Sequence, residues 1–448
     1  MDHRILVQPL IFASPVYWPD DGELGAAVET VSGMLRSLDG DGGLMAPPMA
    51  VTGDKDLGRA LSMPARTIPL LVPISGGVQK QMLSAARQAG ESFLWVWFPK
   101  DPIYDEAHKE MVLRIVSKNA LPACSDVWGA LKGRGRRVSR VYHKESWRRA
   151  AEDIKAEDRI RNTRLLIVGY TQDWVASASV DTRKMEDLFG VSSRHIGLEE
   201  LFAEYECCGE AAEGVSLASE FAAGAREIRE PGMKQIGEAF RLYRALKNLL
   251  SRYGCNGLAI SCFSLARTLG VTACVALSML NDDPGYIAAC EGDLDSAFSM
   301  AVGKAVTGRP IFMGNPVYNL DNTLDLVHCT APRKLLTEKV QPYEIRSHHE
   351  TGLSVAQRVE ADPGQVGTIF RIGAEFKKAV IFEAPLLDNP REDTCRTQFR
   401  FGLGNWEECF DHMLGCHHML VFGRHGGKLS EFMRDRLGIE TEFLGRRT

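Results

Sequence analysis

The sequence predicts two doubly wound α/β domains followed by an antiparallel, β-barrel-like C-terminal domain, and three observations carry that expectation. Through the first third, short apolar runs alternate with longer amphipathic ones, the rhythm of strand and helix in an open parallel sheet. After the charged helical stretch "KESWRRAAEDIKAEDRIR" the same rhythm starts afresh with "RLLIVGYTQDW". From about residue 335 the texture changes to short alternating runs split by the turn segments "ADPG" and "DNPRED", as in antiparallel sheets. The expected domains are therefore 1–160, 161–332 and 333–448.

In the first domain "RILVQPLIF", "TIPLLVPISGG" and "SFLWVWFP" read as strands, with helices near 22–39, 77–90 and 106–120. The basic run "KGRGRRVSR" at 132–140 reads as a solvated loop more readily than as a phosphate grip. In the second domain the strands "RLLIVGYTQDW" and "GLAISCF" enclose the long helix "KQIGEAFRLYRALKNLLSRYG". There follow "LARTLGVTACVALSML" as a helix, "GYIAACEG" as a strand, "DLDSAFSMAVGKAVTG" as a helix closing on glycine, and the strands "RPIFMGN" and "DLVHCT". The third domain offers the strands "LSVAQRVEA", "QVGTIFRIG", "KAVIFEAPLL" and "TQFRFGLG". It ends with a helix near 406–414, the strand "HHMLVFG", a helix near 428–437 and a last strand, "IETEFL".

The totals exclude some functions. A formal charge of -5 over 448 residues speaks against a nucleic-acid surface, so small molecules are the expected partners. No window approaches the ~20 unbroken apolar residues of a membrane span. The start "MDHRILVQPLIF" lacks a basic segment leading into a long apolar stretch and cleavage site, so a cytoplasmic location is expected. The 11 cysteines are an odd count without C-x-x-C spacing, which fits a reducing compartment. Cys255, Cys262, Cys274 and Cys290 lie inside apolar runs, as small core residues do.

Glu291, Asn315 and His328 all fall at or just past predicted strand ends, where open α/β sheets bind ligands. His417 and His418 are neighbours on a strand, so only one of them faces a given cleft. A manganese- or magnesium-like ion takes carboxylate and imidazole ligands with positions left open for substrate oxygens, and Glu291, His328 and His418 supply such a set. The competing reading is that lone histidines at strand ends are satisfied by backbone carbonyls. Lesser candidates are His348, His349 and Glu350 in a polar loop, which reads as solvated, and His425 in a turn. The glycines of "PISGGVQK" read as plain turn geometry, and Trp95, Trp97 and Trp174 are aromatics that either pack in the core or stack on a sugar.

The order "ACEGD", helix, "TGRPIFMGN", "DLVHC", then a late "CHHMLVF" and "GIETEF", resembles the L-fucose isomerase and L-arabinose isomerase family from about residue 255 to the C-terminus. The resemblance implies two α/β domains and a barrel-rich third, a manganese ion, and a homo-oligomer of three or six chains. It implies that Glu291 is metal ligand and catalytic base, with His328 and His418 as further ligands. The family's second metal acid comes 24 residues after the first, and here that place is taken by Asn315. Asn315 is therefore the departure: an amide offers a carbonyl oxygen to a metal but does not exchange a proton near neutral pH. Asp293, Asn315 and His417 are the expected substrate-binding residues. Three readings follow: aldose–ketose isomerisation through an enediol on Glu291; a different reaction or a sugar derivative, such as an anionic sugar suited to the lost negative charge; or a sugar-binding protein without the activity.

Overall fold

Alternation of apolar runs with amphipathic helices builds parallel sheets wherever each crossover helix can cover a sheet face, and this chain does so twice. The computed structural model describes residues 5–39, 43–62, 64, 66–100, 106–178, 181–209 and 212–444. The chain divides into two compact units, Met1–Asp158 and Arg159–Thr448.

The N-terminal unit carries strands β1 (Leu6–Phe12), β2 (Met49–Val51), β3 (Thr67–Pro73), β4 (Glu91–Trp95) and β5 (Arg137–Val141) in one sheet of order β2-β1-β3-β4-β5, every pairing parallel. Its interior strands are buried along nearly their whole length, which is why they read as unbroken apolar runs. Trp95 and Trp97 belong to this core, packed edge to face. The stretch read as a solvated basic loop at 132–140 instead ends in β5, whose Val138 and Val141 are both buried and, three residues apart, face opposite sides of the sheet.

The second unit holds β6 (Arg164–Val168), β7 (Ser192–Ile196), β8 (Glu227–Ile228), β9 (Gly257–Ile260), β10 (Ile287–Ala289), β11 (Phe312–Asn319), β12 (Thr323–His328), β13 (Tyr343–Arg346) and β14 (Ala356–Val359). It continues with β15 (Val366–Gly373), β16 (Lys378–Asp388), β17 (Thr397–Gly402), β18 (His418–Phe422) and β19 (Glu440–Leu444). Strands β10-β9-β6-β7 form a parallel sheet, and β14-β13-β8 a small three-stranded one. The largest sheet has the order β15-β18-β11-β12-β17-β16-β19, and a further β15–β16 pairing closes it on itself. The fold is thus mixed α/β with parallel sheets and a sheet-rich C-terminal region.

No break between compact units falls at the expected boundary at 332. The reason is pairing: β11 and β12, read as the last strands of a second α/β domain, are antiparallel to β18 and β17 and belong to the closed sheet. The single helix expected from "LARTLGVTACVALSML" is two, Cys262–Leu269 and Cys274–Asp282, because Gly270 takes a left-handed φ of 67° between them.

The helix Leu294–Thr307 joins the two large sheets. It packs against β10 on one side and β15 and β18 on the other, so nearly all its residues are buried and no polar face is needed. Its Gly303 allows a close approach, since a Cβ there would stand 2.5 Å from Phe370 Cζ. Asp293 caps its N-terminus by accepting from Ser296 N, which fixes where the preceding Glu291 emerges.

Candidate functional site

Glu291 lies two residues beyond β10 in a tight turn that few sequences tolerate. Its φ is 58° and that of Gly292 is 64°, so two successive residues are left-handed. Gly292 has no alternative, because a Cβ would meet Tyr170 O at 2.6 Å. For a glutamate this conformation is unfavourable by about 1–3 kcal/mol and persists only where its surroundings impose it. The loop after β6 does so: Gln172 N donates to Glu291 O (3.0 Å) and Thr171 Oγ1 to Gly292 O (2.8 Å). Trp174 Nε1 in the same loop donates to Glu291 Oε2 at 2.6 Å.

The closed sheet brings two imidazoles to this carboxylate. Ligand atoms of Glu291, His328 and His417 all lie within 4.8 Å of one another, and all three residues are buried. His328 ends β12, its Nδ1 hydrogen-bonded with Thr330 Oγ1 (2.8 Å), and His417 immediately precedes β18 with Nδ1 2.9 Å from Asp293 Oδ2. When each Nδ1–H donates, each Nε2 keeps its lone pair, and that of His417 stands 3.6 Å from Glu291 Oε1. A carboxylate behind a histidine is the usual support of a metal-binding imidazole. Asp293 is itself held by Arg371 Nη1 (3.2 Å) and Ser296 Oγ (2.7 Å), and Arg371 Nη1 also donates to His417 O (2.7 Å). The result is a buried chain from Arg371 through Asp293 and His417 to Glu291.

Charge inside this chain is stabilised against burial. Burial pushes Glu291 up, but His417, His328 and the Trp174 N–H outweigh it and hold the carboxyl below its usual range. Burial likewise opposes ionisation of Asp293, and Arg371 and His417 hold it far below the ordinary carboxylate. Burial would lower His417, yet its bonds to Asp293, Cys416 and Glu291 raise it. His328 goes down, from burial first and the neighbouring His417 second.

The expected ligand set Glu291, His328 and His418 is therefore not the set brought together. His417 stands beside Glu291 and His328, while His418 points to the other face of the strand and is fully buried. Neither ring nitrogen of His418 has a hydrogen-bond partner among the described residues, and burial, with Arg371 and His417 nearby, pushes it down to about 3. Asp293, expected to touch substrate, has both oxygens engaged by Ser296, Arg371 and His417. Asn315 does not end its strand but sits within β11, and it shares one cavity wall with Glu291 and His328.

His348 and Glu350, read as a solvated loop, also line that cavity: His348 is buried, with Nε2 3.0 Å from Glu350 Oε2. Phe263 links Trp174 to His348 by edge-to-face contacts with centroids 5.1 and 5.6 Å apart. Of the cysteines read as small core residues, Cys262, Cys274 and Cys290 are on the cavity wall, together with Cys329 and Cys395. Arg371 and Thr330 are site residues that no motif in the sequence marks. An arginine inside the apolar alternation "TIFRIG" was the available signal for the first, because an inward-facing charge requires a buried partner. In the sequence Trp174 reads only as an aromatic, because its partner Glu291 is 117 residues away.

One carboxylate and two imidazoles, each held at Nδ1 by a neighbouring oxygen, suit a divalent cation of the manganese or zinc kind. Among the described residues, no helix is long and apolar enough to cross a membrane. No family model matches the chain. The chain is similar to a sulfoquinovose isomerase from Clostridium sp. (strain MSTE9), 25% identical over 270 residues, which is 57% of this chain and 55% of that protein. It thus spans about half the length of the curated relative it matches.

Proposed function

We propose that the chain is a metal-dependent aldose–ketose isomerase working through an enediol. The observation that carries the reading is the buried convergence of the Glu291 carboxylate with His328 and His417 beside a cavity. The likeness to a sulfoquinovose isomerase supports the same reaction class, and it favours a sugar bearing an anionic group over an unmodified one. Glu291, His328 and His417 would hold the cation, which supplies polarisation of two neighbouring sugar oxygens when bound.

The chain's own residues then divide the work. Glu291, kept ionised by its neighbours, removes the C2 proton of the aldose and returns it to C1, while the O2 hydroxyl proton passes to O1, so no proton is gained or lost overall. The Trp174 N–H holds Glu291 Oε2, which fixes the orientation of the carboxylate. Asp293 and Arg371 hold the His417 ring in one orientation. Asn315 orients a sugar hydroxyl without titrating, which leaves the carbon-bound proton to Glu291. A homo-oligomer of three or six chains belongs to the same reading, and light scattering on the purified protein checks it.

The test is an NMR assay of the Mn²⁺-loaded protein with sulfoquinovose, L-fucose and L-arabinose. Ketose should form from at least one aldose, with the sulfonated sugar preferred, and chelation should stop it. Sugar binding without turnover in the loaded protein would replace the isomerase with a sugar-binding function.

A further inference from the structure

The same cavity contains a second cluster that the isomerase reading does not use. Sγ of Cys329, Sγ of Cys395 and a carboxylate oxygen of Glu350 lie within 4.8 Å of one another. Both cysteines are buried, and all three residues line the cavity. Cys395 Sγ donates to Glu350 Oε1 at 3.3 Å, while Glu350 Oε2 is held by His348 Nε2 at 3.0 Å and His348 Nδ1 meets Thr351 Oγ1 at 3.0 Å. The carboxylate is therefore oriented from behind, with the oxygen that faces the thiols available to a ligand. The backbone N–H of Arg396 points at Cys329 Sγ from 3.5 Å.

We infer that Cys329, Cys395 and Glu350 form a separate site for a soft divalent cation of the zinc class. Two thiolates and a carboxylate are three of the four ligands of a tetrahedral ion. Metal–sulfur bonds of about 2.3 Å and metal–oxygen bonds of about 2.0–2.2 Å place tetrahedral ligands roughly 3.5–4 Å apart, so the cluster needs only a small contraction. Each thiol releases its proton as it binds, and Glu350 exchanges the Cys395 S–H for the metal. Sulfur ligands set this site apart from Glu291, His328 and His417, which offer only oxygen and nitrogen and suit a harder ion. The three ligands come from the segment after β12, the turn after β13 and the segment before β17, so a bound ion clasps three parts of the cavity wall.

The experiment uses the full chain stripped of metal and titrated with Cd²⁺, whose bonds to thiolates absorb in the ultraviolet. One equivalent should produce that band, Zn²⁺ should displace it, and Mn²⁺ should not. Cys329→Ser and Cys395→Ser should each abolish the band, and Glu291→Gln should leave it intact. The thiols of Cys262 and Cys290, 3.0 Å apart on the same wall, are the internal control. A band that survives Cys395→Ser or disappears in Cys262→Ser overturns the proposal, as does no band in the unmodified chain. Should the serine variants fail to fold, alkylation followed by mass spectrometry decides the matter in the unmodified protein. Zn²⁺ should slow labelling of Cys329 and Cys395 on the order of tenfold or more; equal rates with and without Zn²⁺ contradict the site.

Discussion

The N-terminal unit buries Glu91 and Glu157 against one guanidinium, Arg137, whose side chain remains 35% exposed, whereas the C-terminal unit buries Arg371, Asp293, Asp295 and His417 almost completely. In the first case water still reaches the positive partner, and the pairing closes the edge of a sheet. In the second, several charged groups have been taken out of water together, which a fold needs for packing alone only rarely. The groups of histidine, cysteine and acidic side chains close enough to hold an ion, among the described residues, all lie in the C-terminal unit. The contrast teaches that buried charge becomes a pointer to chemistry when it is saturated on one side and open to a cavity on the other.

The sharpest test of that contrast is Glu291→Gln, which keeps shape and removes the base. Isomerase turnover should fall by about 10²–10⁴-fold with little change in melting temperature; unchanged turnover would separate Glu291 from the chemistry. Next comes Arg371→Met, which strands buried Asp293 and should lower stability by about 3–5 kcal/mol in denaturant unfolding. The matching Arg137→Met should lose less, about 1–2 kcal/mol, because its surroundings are wetter. Equal losses would erase the distinction between the units. Asp293→Asn retains the helix cap but weakens the anchor of His417, and should reduce Mn²⁺ affinity by about 10–100-fold in calorimetry. The smallest effect is expected of Trp174→Phe, which deletes one hydrogen bond to Glu291 from a half-exposed ring: turnover should fall less than about tenfold.

The strand and helix rhythm was legible because it is local, and so was Glu291, which the pattern strand, acid, glycine, acid places at a strand end. The choice between His417 and His418 was not legible, because it depends on strand parity. Pairing of β18 with β11 sets Gly314 opposite His418, and that register turns the preceding residue towards Asp293. Cys262, Cys274 and Cys290 read as core because they lie inside apolar runs; only the approach of segments far apart in sequence shows that they face a common space with Cys329 and Cys395. β5 was hidden in a basic run because its two buried residues, Val138 and Val141, lie three apart on opposite faces and give no alternating pattern among the arginines. β11 and β12 were recognisable as strands, yet their partners β18 and β17 lie so far along the chain that no local signal assigned them to the closed sheet.

His417, and not its neighbour His418, stands with Glu291 and His328 within reach of one cation. Isothermal titration of metal-free protein with Mn²⁺ compares His417→Ala with His418→Leu, the latter chosen because that ring is buried and without a hydrogen-bond partner among the described residues. The structure predicts that His417→Ala loses Mn²⁺ binding while His418→Leu keeps it near the unmodified affinity. Loss of binding in a folded His418→Leu protein, with His417→Ala unaffected, would contradict the grouping of Glu291, His328 and His417.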